Sequence, residues 1–189
     1  MRVSNRSKIL DAAIRVINRD GLTAVTFDSV AAEAEVTRGG MIYHFPSREA
    51  LIEAINQHLA DQWEANLIEH AGKPAQEASA LERHMAYQRA STHGATRAEL
   101  LFLLEFSKNP ELAKPWDRII ETWSAPEPVD IDDTAALSRF IARLAADGLW
   151  SYQYVSNKSL PPAVRERVAE LLVKILADGT LKSGKENQE

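Results

Sequence analysis

Residues Thr26–Leu51 read TFDSVAAEAEVTRGGMIYHFPSREAL. Thr26 carries a side-chain oxygen suited to cap a helix, and Phe27, Val30 and Ala31 then recur at helical spacing. Glu35-Val36 interrupts that helix, and Thr37 restarts a very short one that must end by Pro46. Ser47 caps a third, with Arg48 in its first turn. Two short helices joined by a tight turn make a helix-turn-helix, and its second helix is sized for the DNA major groove.

The flanks continue in helices. Ile9, Ala12, Ala13, Val16 and Ile17 follow the spacing of an amphipathic helix that Asp20-Gly21 closes. From Ser47 a long helix carries Leu51, Ile52, Ile55, Leu59 and Trp63, and runs to Gly72 before Lys73-Pro74. The remainder reads as helices over residues 75–92, 96–107, 111–124, 132–155 and from Pro162 to Ala177. Leu100 to Phe106 is apolar on nearly every face, which predicts a central, buried helix. Loops are expected at Ala125–Pro128 and Asn157–Pro162, and the polar tail 179–189 is expected to be disordered. No strand run and no repeat stands out. The expected fold is all-α, with a three-helix DNA-binding domain over 1–50 and a helical regulatory and dimerisation domain over 51–178.

Composition narrows the function. The 189 residues contain no cysteine, which excludes disulfides and thiol chemistry and suits a cytoplasmic setting. Neither a signal peptide nor a membrane span is expected. The net charge of −5 is uneven: residues 1–50 hold seven Lys/Arg against six Asp/Glu, while the rest is acidic. Arg2, Arg6 and Lys8 precede the expected fold, either to reach a DNA backbone or as a solvated tail. His44, His58, His70, His84 and His93 form no HExxH pair and no triad, and no phosphate-binding glycine loop is present. No enzyme, cofactor or metal is expected.

Gly21, Thr26, Val30-Ala31, Val36-Thr37-Arg38-Gly39-Gly40, Tyr43-His44-Phe45-Pro46-Ser47-Arg48 and Ala50-Leu51 together resemble the DNA-binding domain of the TetR family of transcriptional regulators. The resemblance covers about residues 5 to 55. It departs at Ile42, where the family usually has Tyr; here Tyr43 stands one position later.

Thr37, Arg38, Gly39 and Gly40 fall in the first recognition turn, where side chains meet base edges. Arg38 can pair bidentately with guanine, and Thr37 can bond a base or a phosphate. The two glycines cost roughly 1 kcal/mol each relative to Ala in a helix, a cost that has two readings, close backbone approach to DNA and an ordinary turn that uses glycine's backbone freedom. The resemblance implies phosphate contacts for His44 and Arg48. Thr26 can both cap and donate to phosphate. Tyr43 has two readings, phosphate contact and packing on the first helix. Phe45 reads as a core anchor.

Further along, the resemblance implies an inducer pocket. Tyr87, Phe102, Phe106, Trp116 and Trp123 are its candidate lining, with plain core packing as the competing reading for each. The stripes Leu137, Phe140, Ile141, Leu144 and Val168, Leu171, Leu172, Ile175 are wider than one monomer core needs and predict a homodimer, as the family forms. The function expected is a repressor that binds a palindromic double-stranded operator as a homodimer and is released by a small-molecule effector. A helical interaction protein that keeps the fold without operator binding is the alternative.

Overall fold

The computed structural model describes residues 5–107, 109–156 and 159–178. The helices are α1 (Asn5–Asp20), α2 (Phe27–Ala34), α3 (Arg38–His44), α4 (Arg48–Ala71), α5 (Ala80–His93), α6 (Arg97–Phe106), α7 (Pro110–Trp123), α8 (Thr134–Val155) and α9 (Pro162–Asp178), with a short 3-10 turn at Leu22–Ala24. No strand occurs among the described residues, and none of their helices is long and apolar enough to cross a membrane. The expected tail 179–189 and Arg2 lie outside them.

Local chemistry sets the boundaries. Thr26 caps α2 by accepting from the Ser29 amide, and the Ser29 hydroxyl accepts the Thr26 amide in return, a reciprocal capping box. Ser79 with Glu82 and Thr96 with Glu99 repeat that device at the starts of α5 and α6. The Ser79 cap explains why α5 starts at Ala80, later than the expected residue 75. α1 ends at Gly21, whose φ of +88° suits a residue without a Cβ. Glu35 closes α2 in the left-handed region at φ 54°, an uncommon position for a side-chain-bearing residue.

The chain divides into two compact units. One holds the described residues to Ala65 together with Ala95–Ile119; the other holds Asn66–Gly94 and the described residues from Ile120 onward. Compactness therefore divides the chain elsewhere than at residue 50. The reason is visible at the start of α6. Asn18 near the end of α1 accepts the Ala98 amide on Oδ1 and an Arg97 N–H on its carbonyl, each at 2.9 Å.

In the first unit, Ile9, Ala12, Ala13, Val16 and Ile17 of α1 are buried, as are Val30, Ala34, Met41, Phe45, Leu51 and Ile55. The expected buried helix is a correction. In α6 only Ala98, Glu99 and Phe102 are buried, and Leu104 is 66 % exposed. An apolar run longer than one turn covers every face of a helix, and α6 packs only part of its circumference. The N-terminal cations are a second correction. Arg6 and Lys8 lie within α1; the Arg6 guanidinium stacks over Phe45 at 5.4 Å, and Lys8 sits 3.6 Å from Glu35.

In the second unit α5, α8 and α9 pack on one another. Ala86, Ala90, Ala142, Ala146 and Ala169 are all buried, and small side chains permit close helix approach. Gln88 donates to the Ala142 carbonyl at 3.1 Å, satisfying a buried amide across α5 and α8.

Candidate functional site

The helix-turn-helix elements sit in the first unit. Thr37 caps α3 by accepting from the Gly40 amide at 3.0 Å, so its hydroxyl defines the first recognition turn. Arg38 and Gly39 in that turn are exposed, Gly40 is half-buried, and Met41 beneath is fully buried. One buried side chain on a helix of seven residues leaves the rest of α3 for a partner. Neither Gly39 nor Gly40 has a positive φ. A Cβ on Gly39 would meet only the Thr37 hydroxyl at 3.9 Å, so nothing inside the described fold requires glycine there. On Gly40 it would crowd that hydroxyl at 3.3 Å.

Tyr43 is 85 % exposed, which removes packing on α1 from its two readings. Its ring meets His44 edge-on at 5.1 Å. Ile42 is 47 % exposed beside it, an apolar side chain where the family pattern has a phenol. Phe45 is buried, the core anchor expected. Ser47 accepts from the Ala50 amide at 3.1 Å and so starts α4. Arg48 donates from Nε to the Val25 carbonyl at 3.2 Å, while its terminal nitrogens have no partner among the described residues. The Glu49 carboxyl is held below its ordinary range, first by its own backbone N–H at the helix start and then by Ser47.

Asp28, which the sequence reading passed over, is hydrogen-bonded to Arg38 through both carboxylate oxygens, at 3.0 and 3.1 Å. Helical spacing links residues three or four apart. A contact between α2 and α3 across a turn leaves no such signature. Elsewhere on α2, Glu33 neutralises Arg15 and Arg19 at 2.8 and 2.9 Å.

The five aromatics fall in different units. Phe102, Phe106 and Trp116 are in the first, Tyr87 and Trp123 in the second. Phe102 is buried against Phe106, ring centroids 5.1 Å apart. Phe106 lines a cleft of about 500 Å³ with Leu22, Ile52 and Leu112. Trp116 donates to Asn56 at 2.8 Å, and Asn56 donates to the Leu112 carbonyl at 2.8 Å. In the second unit the Tyr87 hydroxyl donates to Asp147 at 2.9 Å. Burial raises the Asp147 carboxyl above its ordinary range and pushes the Tyr87 phenol up as well. Trp123 is fully buried, and its indole N–H has no acceptor among the described residues.

On α8 and α9, Ile141, Leu144 and Leu171 are 45, 53 and 44 % exposed, and Val164 joins them at 45 %. Leu137, Phe140, Val168 and Ile175 are half-buried, and Leu172 is buried. No group of three or more potential metal-ligating side chains occurs among the described residues.

Comparison with known proteins fits this geometry. The profile of bacterial regulatory proteins of the tetR family matches residues 9–55, and that of the tetracyclin repressor-like C-terminal domain matches residues 78–177. The HTH-type transcriptional regulator BetI of Paraburkholderia phytofirmans is 28 % identical over 180 residues, covering 89 % of this chain and 91 % of its own. BetI of Paraburkholderia xenovorans is 29 % identical over 153 residues, covering 79 % and 77 %. A transcriptional regulator from Rhodococcus sp. Rha1 shares the fold with a TM-score of 0.65 at 17 % identity, over 93 % of this chain and 97 % of its own. The multidrug binding protein EbrR complexed with malachite green does so with a TM-score of 0.57 at 22 % identity, over 92 % and 98 %. Capped recognition turn, helical second unit and two family profiles agree: the chain belongs to the tetR family and is a ligand-responsive, DNA-binding transcriptional regulator.

Proposed function

We propose that the protein is a repressor that binds a palindromic operator as a two-fold dimer. In this reading α3 enters the major groove. Arg38 reads a guanine and Thr37 an adjacent base or phosphate, while Gly39 and Gly40 let the backbone approach. Thr26, Tyr43, His44 and Arg48 hold phosphates. The observation that carries this reading is the capped first turn of α3, with Arg38 and Gly39 exposed above a buried Met41. The exposed apolar side chains Ile141, Leu144, Val164 and Leu171 support the dimer, because a lone monomer gains nothing by presenting them to water.

The effector enters the interior of the second unit, beside Tyr87 and Trp123. A buried indole N–H without an acceptor and a half-buried carboxylate on Asp147 favour a cationic or neutral organic molecule. EbrR supports this class through its complexes with malachite green and proflavin, both cationic dyes. The effector prefers a conformation in which the reading heads no longer match the operator, and so lowers operator affinity by its differential affinity.

The test is binding to duplexes drawn from the DNA flanking its own gene, measured across salt concentration. A palindrome bound tightly by two copies, with affinity falling as salt rises, is expected. Malachite green then serves as the effector probe: it should quench tryptophan fluorescence and release the duplex. No preference for any flanking duplex over random DNA would overturn operator binding.

A further inference from the structure

Arg38 comes to the recognition turn with a partner. Asp28 is the second residue of α2, and the Arg38 Nη1 donates to both of its carboxylate oxygens. The side chains are 65 and 74 % exposed, so in water this pair adds little to folding. Its geometry carries more meaning. A guanidinium reads guanine O6 and N7 with two parallel N–H groups on one edge. With Nη1 held by Asp28, the edge formed by Nε and Nη2 has no partner among the described residues. The carboxylate also cancels most of the charge that would draw Arg38 to phosphate. The other α2 carboxylate, Glu33, is committed to Arg15 and Arg19, so Asp28 has no substitute within α2 in this role.

We propose that Asp28 is a specificity-determining positioning residue. It holds the Arg38 guanidinium so that the Nε–Nη2 edge meets one guanine per half-site, and it withholds Nη1 from phosphate. Arg38 then contributes to discrimination between bases rather than to sequence-independent binding. The inference rests on Arg38 being a base reader. A merely structural Asp28, placed to favour the start of α2 through the helix dipole, would alter stability and leave base preference untouched.

The experiment first selects preferred duplexes from a randomised pool with the wild-type protein. Wild type, D28N, D28A and R38A are then titrated with that duplex, with single-base variants of its half-site and with random-sequence duplex, across salt concentration. Melting temperatures are recorded in parallel. Both Asp28 variants are expected to lose roughly tenfold in discrimination at the base pair where R38A loses it, as a misaligned bidentate contact would. Their affinity for random duplex should rise several-fold, with the salt slope steeper by about one unit as Arg38 turns to phosphate. Wild-type discrimination in D28N and D28A, beside a loss in R38A, overturns the proposal. So does a loss confined to a different base pair, or a change in melting temperature alone. Unchanged base preference in R38A removes the reader assignment itself, and the role of Asp28 falls with it.

Discussion

The exposed side of α3 and the exposed sides of α8 and α9 present opposite chemistries. On α3 the groups left in water are a guanidinium, a bare glycine backbone, a phenol and the side chain of Ile42, over one buried methionine. On α8 and α9 they include the apolar Ile141, Leu144, Val164 and Leu171 beside charged residues, while alanines pack inside. The first surface stays hydrated until it meets a polyanion, and its affinity is therefore sensitive to salt. The second is unfavourable in water at any salt concentration and is relieved by an apolar surface. The difference teaches that DNA reading and assembly rest on separable physics and should fail separately under mutation.

The largest effect should come from the apolar side. Leu144→Arg and Leu171→Arg place charge on the proposed dimer face at residues that are already exposed, so the monomer should still fold. Loss of the second half-site contact should then weaken operator binding by about 10²- to 10⁴-fold. Sedimentation velocity with DNA titration checks both. A dimeric variant, or a monomer of full affinity, breaks the comparison. Leu172 is unsuitable for this purpose, since it is buried and its substitution reports folding.

Next comes a buried carboxyl in the unit that holds the helix-turn-helix. Burial raises the Glu99 carboxyl from the ordinary 4.5 to about 7, against the opposing bonds from Thr96. The folded chain then holds a proton between those pH values that the unfolded chain has released. Stability from this group is complete below about 4.5 and is lost as pH rises through 7. Glu99→Gln keeps an acceptor for the cap, and should melt like wild type at pH 4.5 and be more stable at pH 8, by about 3 kcal/mol at most. Thermal melts at the two pH values decide it, and equal differences at both would refute it.

Arg38→Ala should weaken operator binding by about 1–3 kcal/mol and relax one base pair per half-site, without changing the dimer. Competition with single-base duplex variants measures it; full affinity with unchanged preference would remove Arg38 from the readers. The smallest effect is also the most diagnostic. Gly39→Ala should stabilise the protein by about 1 kcal/mol, since an added Cβ meets only the Thr37 hydroxyl at van der Waals distance. It should at the same time weaken the operator complex. A variant that gains stability and keeps its affinity would mean that the α3 backbone does not approach DNA.

What sequence alone decided is local. Helix starts at Thr26, Thr37 and Ser47, the closure at Gly21 and the α4 span were legible because a cap acts within three residues and an amphipathic period within two turns. What tertiary structure decided spans longer separations. The Asp28–Arg38 pair is built across a turn, and the five aromatics fall into two units. Leu104 stays in water because α6 meets neighbours on part of its surface only, whereas Leu172 is buried within a stripe of similar residues. Apolar periodicity states which side chains seek cover. Which of them find it depends on helices brought together from distant parts of the chain, and no window of residues contains that information.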